Sequence, residues 1–330
     1  MRSRPIHLAV CVVLAAAALL LALVDPRAAL TGWLGAAAFV AGLPTGALIL
    51  LLMMRLISGR WRDDLGEPAL AAVRLWPLAA LSLVPVLIGM GAIYPWVGHA
   101  PESAFARLWW NPIFFAVRTV AWFVVLGALS WRALAGEVSA GLASFGLIAL
   151  TLAASLVAVD WLMSLDPAFV SSGFGLQVLA LEICAALAAL ILLRLAWGDS
   201  QHLGIMSGLL LTMLLLWAYF MFLPFFIVWS GNLPDGVAWY LARAGTGWVA
   251  ALAAASVLGG VPLFALMAPG VRQSARWLGA LSACVLAGKA VEFAWLALPG
   301  RGGMSVLAFC LALAGLGGLA TLGLLRGRAA

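Results

Sequence analysis

Apolar residues run along this chain in ten long stretches, separated by short segments rich in arginine, glycine and proline. The stretches cover residues 7–24, 32–57, 75–94, 111–129, 139–163, 174–194, 203–229, 247–267, 276–297 and 303–325. Each approaches or exceeds the about 20 residues that a helix needs to cross a hydrocarbon core of roughly 30 Å. None shows the alternation of apolar and polar positions that a barrel strand carries. The pattern predicts an all-α polytopic membrane protein with about ten transmembrane helices, forming a single integral membrane domain over 1–330. Connectors stay under roughly twenty residues, so no soluble domain is expected to hang from the membrane part.

Composition agrees. Hydrophobic residues make up 66% of the chain and charged residues only 9%, too few to cover a soluble surface. Arg2 and Arg4 before an apolar run ending near Ala28 and Ala29 also fit a secretory leader. Nothing downstream has the makeup of a secreted domain, so the first stretch is expected to be a span. Arginine placement then sets the topology. With ten spans, one side of the membrane holds both termini and Arg2, Arg4, Arg55, Arg60, Arg62, Arg74, Arg132, Arg194, Arg272, Arg276, Arg326 and Arg328, while the other holds Arg27, Arg107, Arg243 and Arg301. Short cytoplasmic loops are enriched in Lys and Arg, so both termini are expected in the cytoplasm. The net charge of +6 follows largely from this bias and calls for no nucleic-acid partner.

Redox chemistry finds no ligands in the pattern. Cys11, Cys184, Cys284 and Cys310 lie singly in four different spans, without a C-x-x-C pair or a haem-attachment motif. His7, His99 and His202 fall at span ends or in loops and read as interfacial side chains, not as ligands of a membrane-embedded haem. No P-loop, HExxH or nucleotide-binding glycine pattern occurs. The chain is expected to bind no metal, iron–sulfur cluster or covalent cofactor of its own.

Five ionisable residues fall inside spans: Arg118, Asp160, Glu182, Lys289 and Glu292. A charge at membrane depth costs about 2.5 kcal/mol or more, so each needs a partner or a water-filled cavity. Lys289, the one lysine in the chain, stands three residues before Glu292, which puts both on one helix face about 5–6 Å apart at Cβ. An internal salt bridge that orders helix packing and a place in a proton path or quinone site fit this pair equally well. For Asp160 two roles are open as well. It fits the outer end of a polar path continuing to Glu182, one or two turns deeper in the next span and able to hold a proton. It also fits a structural residue that meets Arg118 or caps the 170–173 connector. Span seven adds an aromatic stretch, 217–229, with Pro224 inside it. A proline removes one backbone hydrogen bond and kinks the helix. Tyr219, Phe222, Pro224 and Trp229 are candidates for the wall of a site that packs a flat ring such as a quinone, although aromatics near a span end also form the interfacial belt. Residues 233–243, with Trp239 and Tyr240, read as a short amphipathic helix on the outer surface.

Two segments carry a family resemblance. Asp160-Trp161-Leu162-Met163-Ser164-Leu165-Asp166-Pro167 closes span five, and Phe226-Ile227-Val228-Trp229-Ser230-Gly231-Asn232-Leu233-Pro234 runs on to Trp239-Tyr240-Leu241. They resemble the hallmark stretches of the F subunit of alternative complex III, a polysulfide-reductase-type (NrfD-like) membrane subunit of a bacterial quinol:cytochrome c oxidoreductase. The sequence departs from that pattern at Ala168, where an aromatic or histidine is more usual, at Pro224 in place of a common glutamine, and at Asp235-Gly236 in place of an acidic pair. The resemblance implies two four-helix bundles plus two flanking helices. It also implies partners in the bacterial inner membrane: haem- and iron–sulfur-bearing subunits and a sister NrfD-like subunit. The expected role is a non-redox subunit that gives scaffold, a proton pathway or a quinone-site wall. A secondary transporter is the alternative, for which Pro44 and Pro224 would have to mark broken helices. An accessory or assembly subunit of a terminal oxidase is the other.

Overall fold

The computed structural model describes residues 3–98, 104–198 and 200–326. His99, Arg2 and Arg328 lie outside these residues. Every regular element among the described residues is helical: α1 (Ser3–Leu20), α2 (Pro26–Leu56), α3 (Trp61–Val73), α4 (Trp76–Ser82), α5 (Val84–Ile88), α6 (Met90–Ile93), α7 (Ala104–Trp109), α8 (Pro112–Leu134), α9 (Ala140–Trp161), α10 (Phe174–Trp197), α11 (Leu203–Gly231), α12 (Pro234–Leu241), α13 (Thr246–Ala265), α14 (Pro269–Arg272), α15 (Ala275–Ala297) and α16 (Gly303–Arg326), with two short 3₁₀ turns. Among the described residues, ten helical stretches are long and apolar enough to cross a membrane. The protein is an all-α polytopic membrane protein.

Local sequence explains where the long helices start and stop. Asp25 accepts a hydrogen bond from the Ala28 amide at the start of α2, and Pro26 occupies the first turn, where its missing N–H costs nothing. Asn111 and Pro112 do the same for α8, and Ser139 caps α9. Gly198 and Asn232, both with positive φ, close α10 and α11 in left-handed caps.

Span three departs from expectation. Residues 58–74 read as a connector, yet helix starts at Trp61 and the candidate span runs Trp61–Ile88. That span is broken into α3, α4 and α5 near Pro77 and Pro85, where prolines open new helical turns, and α6 follows after Gly89. Of the charged residues of α3, Asp64 is fully buried, while Arg62, Asp63 and Glu67 are exposed.

Helix neighbours sort into two rings. α2, α4, α8 and α9 touch in sequence around one, and α10, α11, α13 and α15 around the other. α2 packs on α10 to join the rings, while α16 lies against α2 and α1 against α16. This is the expected pair of four-helix bundles with two flanking helices. In a membrane, close approach of small residues drives such packing, since lipid is as apolar as the interior. Gly42 and Gly46, four apart on α2, face Glu182 and Ala186, four apart on α10. A Cβ at position 46 would stand 2.7 Å from both Ala186 Cβ and the Glu182 carbonyl oxygen. Gly32 meets the Ser305 backbone of α16 so closely that any side chain there would collide with it.

Candidate functional site

The middle of the second ring holds a buried charge cluster. Lys289 and Glu292 of α15 are both sealed from solvent, and their i,i+3 spacing brings Lys289 Nζ to 3.2 Å from Glu292 Oε2. Trp217 of α11 completes the group. Its Nε1 donates to Glu292 Oε2 at 2.8 Å, and Lys289 Nζ lies 3.1 Å from the centre of its ring. Gly288 permits the arrangement, because a Cβ there would press to 2.8 Å from Leu258 Cβ on α13. The cation thus has an anion on one side and an aromatic face on the other, the two partners that lower the cost of a charge in low dielectric.

Beside this cluster lies a cavity of about 400 Å³. Its walls are mainly aromatic and apolar, with Phe222, Phe225, Tyr240 and Trp295 against Trp217, and its polar lining includes Gln177 and Glu292. Two of these side chains carry a buried polar atom with no hydrogen-bond partner: Glu292 Oε1, an acceptor, and Trp295 Nε1, a donor. Buried polar atoms are nearly always paired, so an orphan acceptor and an orphan donor on two residues that line one cavity are unusual.

The four residues taken as a ring-binding wall separate. Phe222 lines the cavity. Tyr219 and Trp229 are exposed on the outside of α11, and Pro224 is buried outside the cavity lining. The cavity side of α11 is the stripe Trp217, Met221, Phe225 at i, i+4 and i+8, with Ala218 and Phe222 beside it. That spacing was present in the sequence, but the aromatic residues around it on every face hide the stripe. Gln177, Tyr240 and Trp295 come from three other elements, so no local pattern marks them.

Arg118 and Asp160 meet near the outer ends of α8 and α9. Nε and Nη2 of Arg118 donate to the two oxygens of Asp160 at 2.7 and 2.9 Å, and Nη2 also donates to the Trp109 carbonyl at 3.0 Å. The guanidinium also contacts two aromatic rings set edge to face, Trp109 and Phe114, 4.3 and 4.4 Å from the ring centres. Asp160 thus makes the contact with Arg118. Glu182 is elsewhere. Gly175 of α10 abuts Ser155 of α9; from that contact Asp160 lies five residues outward and Glu182 seven residues inward, about 18 Å apart along the axes at 1.5 Å per residue. Glu182 is therefore about three turns deeper, not one or two, and it sits against Gly42 with its buried Oε2 unpartnered.

Two further clusters escaped the sequence reading. At the outer end, Asp166 draws in two buried arginines. Arg243 Nη2 donates to Asp166 Oδ2 at 3.1 Å and lies 3.5 Å over the Trp239 ring, and Arg301 Nη2 is 4.0 Å from Asp166 Oδ1. Burial pulls Arg243 down to about 10 while Asp166 draws it back up, so it stays charged at neutral pH. At the opposite end, Asp64 accepts from Arg194 Nε at 3.2 Å and from the Gln201 and His202 amides, and contacts His202 Nδ1 at 3.0 Å. Among the described residues no group of three or more His, Cys, Asp or Glu side chains converges as metal ligands would.

No family model matches the chain, and no curated protein does. Its chemistry is therefore read from the geometry: a mostly apolar, aromatic-lined cavity in a membrane protein, with one unpartnered acceptor and one unpartnered donor on residues that line it.

Proposed function

We propose that this chain is a non-redox membrane subunit of a bacterial respiratory quinol:cytochrome c oxidoreductase of the alternative complex III type, and that its cavity forms a wall against a quinone ring. The observation that carries the proposal is the pairing of Glu292 Oε1 and Trp295 Nε1, both unpartnered, on a cavity of aromatic side chains. A quinol hydroxyl donates to the first and a quinone carbonyl accepts from the second, while the ring packs against Phe222 and Phe225. The fold adds support. The two stretches that resemble the family lie nearly sixty residues apart in sequence yet come together at their ends, since Asp166 of the first holds Arg243 just beyond the second, and Phe169 just beyond the first stacks on Trp239 of the second at 4.3 Å between ring centres.

The rest of the proposal follows from the same resemblance and from the arginine bias. Both termini face the cytoplasm of a bacterial inner membrane, and electrons travel through haem- and iron–sulfur-bearing partners packed beside a sister NrfD-like subunit. Asp160, Arg118, Glu182, Lys289 and Glu292 are the groups through which protons would pass, from two separate depths and not along one chain of contacts. A secondary transporter fits less well, because α2 and α11 continue as helix through Pro44 and Pro224 and present no unwound ion site.

A photoreactive azidoquinone tests the cavity. Irradiation is expected to label the peptides carrying Phe222, Phe225 and Trp295, with excess quinol suppressing the label. Trp295→Phe removes the donor without touching the Lys289 pair and is expected to weaken binding about tenfold, the effect of losing one hydrogen bond of roughly 1.4 kcal/mol. Labelling confined to other helices, or unchanged in Trp295→Phe, would refute the site.

A further inference from the structure

The ends of α2, α3 and α8 leave a small crevice, about 160 Å³, lined by Arg55, Arg62, Leu51, Leu70, Ala133 and Val138 among others. We propose that this crevice seats the phosphate headgroup of an anionic phospholipid, with its acyl chains leaving past the half-buried Leu51 and Leu70 toward the hydrocarbon. Three observations converge on that occupant. Charge comes first: the charged residues of the lining are both arginines, and no carboxylate joins them. Of the acids at this end of the molecule, Asp64 is held by Arg194 and His202 and Glu137 by Arg132 at 2.9 Å, while Asp63 and Glu67 of α3 are exposed and outside the lining. Second, Arg55 is pre-oriented. Its Nε donates to the Val138 carbonyl at 2.7 Å, which fixes the plane of the guanidinium, while Nη1 and Nη2 donate to no acceptor among the described residues. A fixed guanidinium with two free N–H groups matches the paired oxygens of a phosphodiester.

Depth is the third observation. Arg55, Arg132 and Arg194 occupy the last turns of α2, α8 and α10, which run in the same direction, so the crevice lies at the level where membrane helices leave the hydrocarbon. Leu51, Leu52 and Leu70 extend its wall back toward the apolar layer. A volume of about 160 Å³ holds a phosphate ester but not a whole nucleotide. An apolar wall on one side and arginines on the other select a lipid over a free ion.

Native mass spectrometry and melting of the detergent-purified full chain, stripped of lipid and then supplied with phosphatidylglycerol, cardiolipin or phosphatidylcholine, test the proposal. The wild type is expected to retain the anionic lipids about tenfold to thirtyfold better than phosphatidylcholine, two arginines each contributing about 1 kcal/mol. The Arg55→Gln/Arg62→Gln variant should lose that preference, and Arg55→Lys/Arg62→Lys should keep most of it. Equal retention of anionic and zwitterionic lipid by the wild type overturns the proposal without any variant having to fold. So does an undiminished preference in the Gln variant, and so does equal stabilisation by inorganic phosphate, which would make this a site for a small anion.

Discussion

Replacing Lys289 by Met is expected to destabilise the fold by about 3–5 kcal/mol, the usual cost of stranding one member of a buried ion pair. Lys289 and Glu292 are 0% and 1% exposed at their side chains, so water cannot take the place of the missing partner. The variant leaves Glu292 with the Trp217 N–H alone and empties the space above the Trp217 ring. Replacing Lys289 and Glu292 together by Met and Leu removes both charges and should recover much of the loss, because an apolar pair of similar volume is often no worse than the ion pair it replaces. The readout is the fraction of folded monomer against added sodium dodecyl sulfate. If the double variant is no better than the two single defects combined, the residues are not coupled.

The second large effect is expected at Asp160. Asp160→Ala strands the Arg118 guanidinium against Trp109 and Phe114, with Nη1 already lacking an acceptor, and should also cost about 3–5 kcal/mol. Arg118→Lys should fail to preserve the wild-type stability, since an ammonium cannot make two parallel bonds to a carboxylate or lie flat on an aromatic ring. Wild-type unfolding behaviour in Asp160→Ala would show that the pair contributes nothing. The gentler Asp160→Asn separates structure from proton transfer. In an assembled complex it should leave proton release per quinol unchanged if Asp160 serves only to hold Arg118, and abolish it if Asp160 is a relay.

The transmembrane plan was legible because lipid demands long apolar helices, and such runs stand out along a chain. It failed at α3, where Arg62, Asp63, Asp64 and Glu67 make the segment read as a connector. Asp64 is buried only because Arg194 and the amides of Gln201 and His202 satisfy it from more than a hundred residues away. The same division runs through the candidate site. Lys289 and Glu292 are three residues apart on one helix, so their contact is fixed by helix geometry. Arg118 and Asp160 are 42 residues apart, and their meeting depends on how α8 packs against α9. The cavity is harder still, since Trp217, Tyr240 and Trp295 converge from α11, α12 and α15 and mean nothing together until those helices are placed. Depth was misjudged for Glu182 because a connector length does not give the register of two helices, whereas the contact of Gly175 with Ser155 does.

Purification of this chain under mild detergent, with an affinity tag and a reduced-minus-oxidised spectrum of whatever accompanies it, tests the proposed membership of a respiratory complex most directly. The account predicts stoichiometric c-type haem absorbance and iron–sulfur signals carried by co-purifying subunits, lost together when the complex is dissociated. A folded, monodisperse chain that brings down no haem from membranes rich in cytochrome would contradict it.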